Sequence, residues 1–384
     1  MTAPRLEIDI GKVHHNACVL VDRLAARGIA ACGVTKATLG SPDVARAWLD
    51  AGVTGLGDAR IENIESLRRA GVAAPMMLVR SPMLSQVDRV VTAADMSLNT
   101  ELAVIRGLAA AAAATGRTHR IVLMVELGDL REGIMPGDLA EVVRAVLAMP
   151  GVALAGIGTN LACQSGVSPD AANMGELSVL VAEIEARFGL VLDVVSGGNS
   201  ANLDWALGPD SPGRINHLRL GEALLLGREP LHRRPVAGLH TDAFTVTGEV
   251  IESKRKPSVA RGTIAQTAFG AVPVADGRDG RDGRDGRDDS GDGGDHGDRH
   301  RTIVALGRQD VDPAGLLAPT GMEVIGASSD HLVLDAGARR LAVGAEVTFE
   351  VDYSALVRAM TSPFVAKVVT GTYDDRGAPA AVAG

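Results

Sequence analysis

The fold is decided by residues 29–59, which read IAACGVTKATLGSPDVARAWLDAGVTGLGDA. The two ends of this stretch, IAACGVTK and TGLGDA, are short apolar runs typical of buried strands. The part between them has helix signals, because Ser41 is suited to cap a helix, Pro42 to its first turn and Gly52 to the position after its end. The pattern therefore predicts a strand, a helix and a second strand in succession.

The same alternation continues to residue 225. Further apolar runs, separated by mostly helical segments, cover residues 75–79, 95–99, 119–127, 152–160, 191–199 and 217–225. Near-continuous apolar strands between amphipathic helices are typical of a parallel sheet covered on both faces. Eight such units between residues 29 and 225 predict an α/β fold, a compact TIM-like (β/α)8 barrel.

After about residue 236 the pattern changes to β-rich alternation with Gly turns, which predicts a C-terminal domain of antiparallel strands. The segment RLEIDI precedes the barrel, and we expect it to join that β-rich domain. The expected organisation is an N-terminal strand in residues 1–10, the barrel in 11–235, the β-domain in 236–369 and a flexible tail in 370–384.

Residues 276–301 form a repetitive Asp-Gly-Arg tract without apolar side chains. Such a segment cannot bury a core, so we expect a disordered insertion within the β-domain. Repeated Asp with Gly also suggests a calcium loop, but the D-x-D-x-D-G spacing with a distal Glu is missing. No metal site is therefore predicted.

Composition excludes several classes of function. The chain of 384 residues carries a net charge of −9, which argues against general nucleic-acid binding. Its three cysteines, at positions 18, 32 and 163, lack the spacing of a disulfide framework or zinc site. The N-terminus has no apolar signal region, and no charge-free apolar run is long enough to span a membrane. A cytoplasmic protein without a membrane partner is expected.

Polar residues follow several of the predicted barrel strands. In such barrels the active site lies at the carboxyl ends of the strands. The residues at these positions are Lys36, Arg131, Asn160, Ser200 and Arg219. One lysine, two arginines and a Gly-rich serine turn suit an anionic ligand whose carbonyl is trapped as an imine. A lysine at a barrel mouth is by itself more often a surface charge. The rest of the pattern must therefore decide whether Lys36 binds a ligand.

The chain resembles the fold-type III enzymes that depend on pyridoxal phosphate, and most closely the alanine and ornithine racemase branch. The resemblance rests on VTKA, LGDLREG, SGGNSA and LRLGEALLLG in the barrel, and on LGRQD and SSDHLVLD in the β-domain. It covers residues 5 to 365 without the Asp-Gly-Arg tract. Each motif is weak alone, but their order along the chain is that of the family.

The resemblance implies specific roles. Lys36 is expected to hold the cofactor as a Schiff base, Arg131 to approach the cofactor's phenolic oxygen and the substrate carboxylate, and Arg219 to face the pyridine nitrogen. Phosphate contacts are expected from Ser200 and from the backbone near Gly221 and Glu222, and Asn160 replaces a ring-stacking histidine of the family. Because an arginine does not accept a proton, the ring should stay a weak electron sink, which favours reprotonation and hence racemisation.

Racemisation needs an acid or base on each face of the reacting carbon. Lys36 would serve one face, but Phe269 stands at the position of the family's tyrosine, and Phe364 stands near another expected tyrosine. The alternatives for the second face are Cys163, the pair Asp330 and His331, and Asp310.

The β-domain motifs also offer substrate contacts. Ser329 is one expected contact, and Asp310 could hold a distal ammonium, which would favour a diamino acid such as ornithine over alanine. The resemblance further implies a homodimer whose sites borrow residues from the partner's β-domain.

The predicted function is a pyridoxal-phosphate-dependent racemase, an isomerase acting on a diamino acid such as ornithine or a small amino acid such as alanine. Two alternatives stay open from sequence. One is a lyase of the same fold, of the D-threonine aldolase or D-serine dehydratase type. The other is a non-catalytic pyridoxal-phosphate-binding protein, which the missing tyrosine would permit.

Overall fold

The structure is a computed structural model of the chain. It describes residues 3–258, 260, 262–263, 265–267, 269–270 and 298–374. The chain divides into two compact units. The barrel unit comprises Glu7–Phe244 and Val369–Gly384, and the β unit comprises Met1–Leu6 and Thr245–Val368.

The strands of the described residues are short, apart from one long strand in the β unit. Their bounds are β1 Arg5–Asp9, β2 Ala30–Val34, β3 Gly55–Asp58, β4 Met76–Leu78, β5 Met96–Asn99, β6 His119–Met124, β7 Val152–Gly158, β8 Val194–Gly198, β9 His217–Leu220, β10 Phe244–Pro257, β11 Asp298–Val304, β12 Leu316–Leu317, β13 Glu323–Ala327, β14 Leu332–Asp335, β15 Glu346–Val351 and β16 Ala366–Thr370.

The helices alternate with the strands over the first part of the chain. Their bounds are α1 Ile10–Ala25, α2 Pro42–Asp50, α3 Ile61–Arg69, α4 Val87–Ala93, α5 Leu102–Ala114, α6 Leu139–Leu147, α7 Ala171–Phe188, α8 Leu203–Ala206, α9 Glu222–Leu226 and α10 Tyr353–Thr361. Within the described ranges, no helix has the length and apolar character needed to cross a membrane.

Strands β2 to β9 are parallel and close into a barrel, as predicted. Closure is made between the first and last strands, where Ala30 pairs with His217 and Gly33 with Leu220. The apolar interior contains a cluster of buried side chains from β4 to β7: Met77, Met96, Leu98, Val122, Met124 and Ala155.

The first strand–helix unit shows why the sequence folds in this way. Ser41 caps helix α2, since its Oγ accepts a bond of 3.5 Å from the backbone N–H of Val44. Trp48 on α2 is fully buried against the barrel. A Cβ on Gly33 would lie 2.5 Å from the Trp48 ring, so only glycine lets this helix pack so closely on β2.

The β unit contains an antiparallel sheet in the order β12-β15-β10-β11-β14-β13, and β1 pairs with β10 and β16. Arg5 on β1 forms a bidentate ion pair with Glu346 on β15, at 2.6 and 2.7 Å. The predicted fold class, a barrel followed by a β-rich domain with the N-terminal strand joined to it, is therefore confirmed.

The Asp-Gly-Arg tract is described only at its end. Residues 298–301 belong to strand β11, in which Arg301 pairs with Lys254 and Thr302 with Ser253 on β10. The remaining part of the predicted insertion, residues 276–297, lies outside the described residues, as do residues 375–384 of the predicted tail.

Candidate active site

Lys36 stands just beyond the first barrel strand. The sequence predicts a strand over residues 29–36, but β2 ends at Val34 and Lys36 lies on a short 3-10 helix, Thr35–Thr38. The Thr35 carbonyl turns the chain here, because it accepts bonds from the Thr38 hydroxyl at 3.0 Å and from the Gly40 N–H at 3.2 Å.

The Lys36 side chain is exposed. Lys36 differs from the other four lysines of the chain. Each of those makes an ion pair or hydrogen bond: Lys12 with Asp242, Lys254 and Lys256 with Glu252, and Lys367 with the Ser362 carbonyl. Over the described part of the chain, Lys36 Nζ makes neither. An amine without a partner at a barrel mouth is available for a ligand.

Arg219 on β9 is buried, with 5% of its surface exposed. Its guanidinium donates to the Ser196 hydroxyl, to the Thr159 carbonyl at 2.9 Å and to Asn160 Oδ1 at 3.3 Å. All three acceptors are uncharged, and Arg219 has no ion pair among the residues that the structure describes. A buried cation with neutral partners only favours an electron-rich or anionic ligand.

Two titratable groups beside Arg219, His217 and Cys32, are neutral near pH 7. Burial lowers the pKa of Arg219 to about 10, so the guanidinium stays protonated. Burial and the Arg219 charge lower the pKa of His217 to about 3, which leaves that imidazole uncharged, with Nδ1 2.9 Å from Ser196 Oγ. Burial raises the pKa of the Cys32 thiol to about 12. Arg219 is therefore the one cation of this group.

Ser200 follows β8 at the start of a 3-10 helix, Ser200–Asn202, and is 3% exposed. Its Oγ accepts bonds from the backbone N–H groups of Gly221 and Ala223, at 3.3 and 3.2 Å. A hydroxyl and two N–H groups that converge in this way can hold a phosphate oxygen. The predicted strand over residues 217–225 is wrong in its second half: β9 ends at Leu220 and residues Glu222–Leu226 are helical.

Glu222 was expected to cradle phosphate through its backbone. Its side chain is engaged elsewhere, because it accepts a bond from the Arg233 guanidinium. The bonds to Ser200 come from the residues on either side of it, Gly221 and Ala223.

Asn160 lies after β7, close to Arg219. Its Oδ1 accepts from both Arg219 and Asn199 Nδ2, the latter at 3.1 Å. Its Nδ2 is buried and has no hydrogen-bond partner in the part of the chain that the structure describes. An orphaned buried donor costs free energy unless a ligand supplies an acceptor.

Cys163 is exposed on the loop after Asn160. Asn199 Nδ2 lies 3.6 Å from its Sγ. The loop is held by buried Asp129, whose carboxylate accepts from the N–H groups of Gln164 and Ser165 at 3.1 and 3.0 Å. Cys163 therefore has a defined position near Arg219 and Arg131, with both of which it interacts electrostatically.

Arg131 is exposed on the loop after β6, and its guanidinium forms an ion pair with Glu132. The barrel unit thus brings together Lys36, Arg131, Asn160, Cys163, Ser200, Arg219, Gly221 and Glu222 at the carboxyl ends of its strands.

The other predicted site residues belong to the β unit. Asp310 is nearly buried, and its Oδ2 accepts from the Gly307 N–H at 2.9 Å. Burial, together with the charge of Asp330, raises the pKa of Asp310. Asp330 accepts from Ser329 Oγ at 2.7 Å and from Gln309 Nε2 at 3.0 Å.

His331 is exposed, and its backbone N–H donates to Ser328 Oγ at 3.2 Å. Phe269 and Phe364, which stand where tyrosines were expected, are 52% and 65% exposed. The Arg308 guanidinium lies 4.7 Å from the centre of the Phe269 ring. Neither phenyl ring can carry a proton, so the second acid or base must be another residue.

Sequence reasoning missed the side chains that hold the site residues. Ser196 and Thr159 accept hydrogen bonds from the Arg219 guanidinium. Asn199 Nδ2 contacts both Asn160 Oδ1 and Cys163 Sγ. Asn199 could have been found from its place before Ser200 in SGGNS. Ser196 and Thr159 gave no signal, since small polar residues are common within strands.

The chain is similar to several known proteins. Residues 8–229 match the family model "Alanine racemase, N-terminal domain". The chain is 33% identical to the ornithine racemase of Acetoanaerobium sticklandii over 95% of this chain and 99% of that protein. It is 36% identical to the lysine racemase of Thermotoga maritima over 96% of this chain and 99% of that protein. The alanine racemase structure from a D-cycloserine-producing Streptomyces lavendulae has a TM-score of 0.72 and 21% identity, covering 98% of this chain and 99% of that one.

The fold, the site and the full-length relatives define an amino-acid racemase, an isomerase. The lyase and the non-catalytic binding protein are not favoured, since the relatives that match over the whole chain are racemases. The chain belongs to the alanine racemase family, whose members depend in general on pyridoxal phosphate.

Proposed function

We propose that this racemase interconverts the L and D forms of a diamino acid such as ornithine or lysine, with pyridoxal phosphate linked to Lys36. The observation that carries the proposal is the amine of Lys36, which has no partner among the residues that the structure describes and stands at the mouth that also holds Ser200 and Arg219. The relatives that match over nearly their whole length carry the names ornithine racemase and lysine racemase, which supports a basic substrate.

The residues at the mouth fit the cofactor. Ser200 Oγ with the N–H groups of Gly221 and Ala223 would hold its phosphate, and Arg219 would face its ring nitrogen. The orphaned Asn160 Nδ2 offers a further donor. When bound, the cofactor supplies an electron sink that makes the substrate's Cα–H acidic.

The protein's own groups then handle the proton. Lys36 Nζ would take a proton from Cα, or return one, on the face that it approaches. Arg219 keeps its own protons, and neutral His217 adds no charge beside it. These two residues would therefore give no proton to the cofactor's ring nitrogen, which would favour rapid return of the proton to Cα. Arg131 would bind the substrate carboxylate.

The second face requires another proton carrier. Cys163 stands on a fixed loop at the mouth, and Asp330 with His331 is the alternative in the β unit. Cys163→Ala and His331→Ala separate these alternatives by hydrogen exchange at Cα in deuterated water, measured for each enantiomer. Removing the second base should abolish exchange for one enantiomer only, because Lys36 still serves the other. A variant that exchanges both enantiomers at the normal rate has lost no proton carrier.

Two neighbouring carboxylates in the β unit suit a distal ammonium group. Asp310 and Asp330 repel each other, which is one cause of the raised pKa of Asp310, and a cation between them would relieve this. Ser329 donates to Asp330 and would orient it. Asp310→Asn should reduce kcat/KM for ornithine or lysine about tenfold or more while leaving that for alanine unchanged. Equal losses for all substrates would contradict this role.

We further propose a homodimer in which each barrel mouth is completed by the partner's β unit. Mixed Lys36→Ala and Asp310→Asn chains test this, since one of the two sites in a mixed dimer would contain both native residues. Activity on ornithine should rise after the inactive Lys36→Ala chain is mixed and refolded with the weakly active Asp310→Asn chain. A mixture that shows only the sum of the separate activities would indicate that each site is built within one chain.

Chiral chromatography after incubation with L-ornithine, L-lysine, L-alanine and L-serine tests the whole function. Inversion of ornithine or lysine is expected in the presence of pyridoxal phosphate. Inversion of alanine alone would contradict the proposed substrate class, and a protein that stays colourless with the cofactor would contradict the role of Lys36.

A further inference from the structure

Asp58 is a buried carboxylate beside the turn that carries Lys36. It ends strand β3 and is completely buried. Its Oδ2 accepts a bond of 2.7 Å from the hydroxyl of Thr35, the residue before Lys36 in the chain. Its Oδ1 accepts from the Arg60 N–H at 2.8 Å and from Asn63 Nδ2 at 3.0 Å. The carboxylate therefore joins the Lys36 turn to the segment that starts helix α3.

The charge of Asp58 has no direct counterion. Within the described residues its oxygens contact hydrogen-bond donors only, and none of them is an ammonium or guanidinium group. Burial raises the pKa of Asp58, whereas its three hydrogen bonds and the Lys36 charge act to lower it. Lys36 is the charged group among the influences that lower this pKa, so its ammonium lies close enough to act on the carboxylate.

The other carboxylates on the surrounding helices have ion-pair partners. On helices α2 and α3 these pairs are Asp43 with Arg46, Asp50 with His14, and Glu62 and Glu65 with Arg89. The Arg60 side chain is exposed, and the Arg219 guanidinium on β9 is bonded to neutral acceptors. Asp58 is therefore the carboxylate placed to act on Lys36.

We propose that Asp58 is a positioning residue for Lys36: it fixes the Thr35–Thr38 turn through its bond to Thr35 and places a buried carboxylate beside that turn. The inference rests on the proposed function of Lys36. In a racemase this nitrogen must hold a proton until Cα accepts it, and a buried negative charge nearby holds that proton in place.

The test compares Asp58→Asn, which keeps the shape but removes the charge, with the exposed control Asp43→Asn. The first measurement is the pH midpoint of the visible absorbance of the cofactor-loaded protein. We expect Asp58→Asn to lower this midpoint by about one pH unit, because the cationic form loses its neighbouring anion. Asp43→Asn should leave it unchanged, and Asp58→Glu should move it back towards the wild-type value.

The second measurement uses the cofactor-free protein. Acetylation of Lys36 by acetic anhydride at pH 7.5, followed by peptide mass spectrometry and normalised to Lys254, should be about tenfold faster in Asp58→Asn. Unchanged acetylation and an unchanged midpoint would overturn the inference. A protein that forms no coloured adduct contradicts the proposed function instead, since the acetylation rate still reports on Asp58.

Two further variants separate charge from shape. Thr35→Val removes the hydroxyl bond but keeps the carboxylate, so it should lower kcat and leave the absorbance midpoint close to that of the wild type. If Asp58→Asn does not fold, the double variant Thr35→Val/Asp58→Leu replaces the bonded pair by apolar side chains and should show the same shift in acetylation. A double variant that folds and is acetylated at the wild-type rate would also refute the role of Asp58.

Discussion

The barrel mouth and the β unit carry site residues of two different kinds. At the mouth, Arg219 and Ser200 are buried and bonded to groups distant in sequence, as Arg219 is to Thr159. In the β unit, Asp330 and His331 are exposed and bonded mainly to adjacent residues such as Ser328 and Ser329. The first set is fixed by tertiary packing, and the second by a local turn.

This difference separates two tasks of a racemase. The mouth has a buried cation with neutral partners, an orphaned amide nitrogen and a converging set of N–H groups, so it is organised for an anionic ligand. The β unit offers Asp330 and His331 on its surface and the nearly buried Asp310, which we propose as contacts for a substrate side chain. Changes at the mouth should therefore remove cofactor function, whereas changes in the β unit should alter substrate preference.

The largest effect is expected from Lys36→Ala. The variant should lose the visible absorbance of the bound cofactor, and its racemisation rate should fall by at least about 10⁴-fold, since the covalent link and one proton carrier disappear together. Absorbance spectra and chiral chromatography measure both losses. Lys254→Ala, on the β unit, is the matched control, and an equal loss there would remove the distinction between the two regions.

Arg219→Gln should have the next largest effect. The substitution removes the buried charge, and kcat should fall about 100-fold, in the range seen when one preorganised donor is lost from an active site. Steady-state kinetics at saturating cofactor measures the change. A variant with normal kcat and a raised KM would show that Arg219 only binds substrate.

Ser200→Ala should weaken binding of the cofactor and leave the rate of the chemical step nearly unchanged. Loss of one hydroxyl bond to a charged phosphate is expected to raise the Kd of pyridoxal phosphate about tenfold. Fluorescence titration of the cofactor-free protein measures this. At saturating cofactor, kcat should approach the wild-type value, and a persistent loss would show that Ser200 does more than hold phosphate.

The smallest effect on activity is expected from His119→Gln. His119 is 2% exposed inside the barrel, and its Nε2 lies 2.8 Å from Ser97 Oγ. Burial lowers the pKa of His119 to about 4, so the folded state excludes a proton that the unfolded chain takes up below about pH 6.5. The stabilisation is therefore complete above about pH 6.5 and falls as the pH drops towards 4, by up to about 3 kcal/mol.

Urea denaturation at pH 7 and pH 4.5 measures this loss, and His119→Gln should flatten the dependence on pH. If the free energy of unfolding of the variant depends on pH as strongly as that of the wild type, the acid sensitivity comes from other groups, such as His217.

Sequence reasoning was most successful where local signals are strong. The eight barrel strands, the capped helix after Gly40 and the β-rich second domain follow from hydrophobic period and turn residues. Lys36 and Ser200 could be placed at the carboxyl ends of the barrel strands because each follows a strand within a distinctive motif. The end of the first strand was misjudged, since the bonds of the Thr35 carbonyl that turn the chain there depend on residues beyond the apolar run.

The amino-acid sequence by itself determined the order of strands and helices, the family and the residues that stand at the carboxyl ends of the strands. Only the tertiary structure decided how these residues are partnered: within the described ranges Lys36 Nζ has no partner, whereas Arg219 is buried with neutral acceptors. It also placed the buried carboxylate of Asp58 beside the Lys36 turn. The physical reason is that periodicity and capping are local properties of the chain, whereas burial and hydrogen-bond satisfaction depend on groups brought together from distant segments.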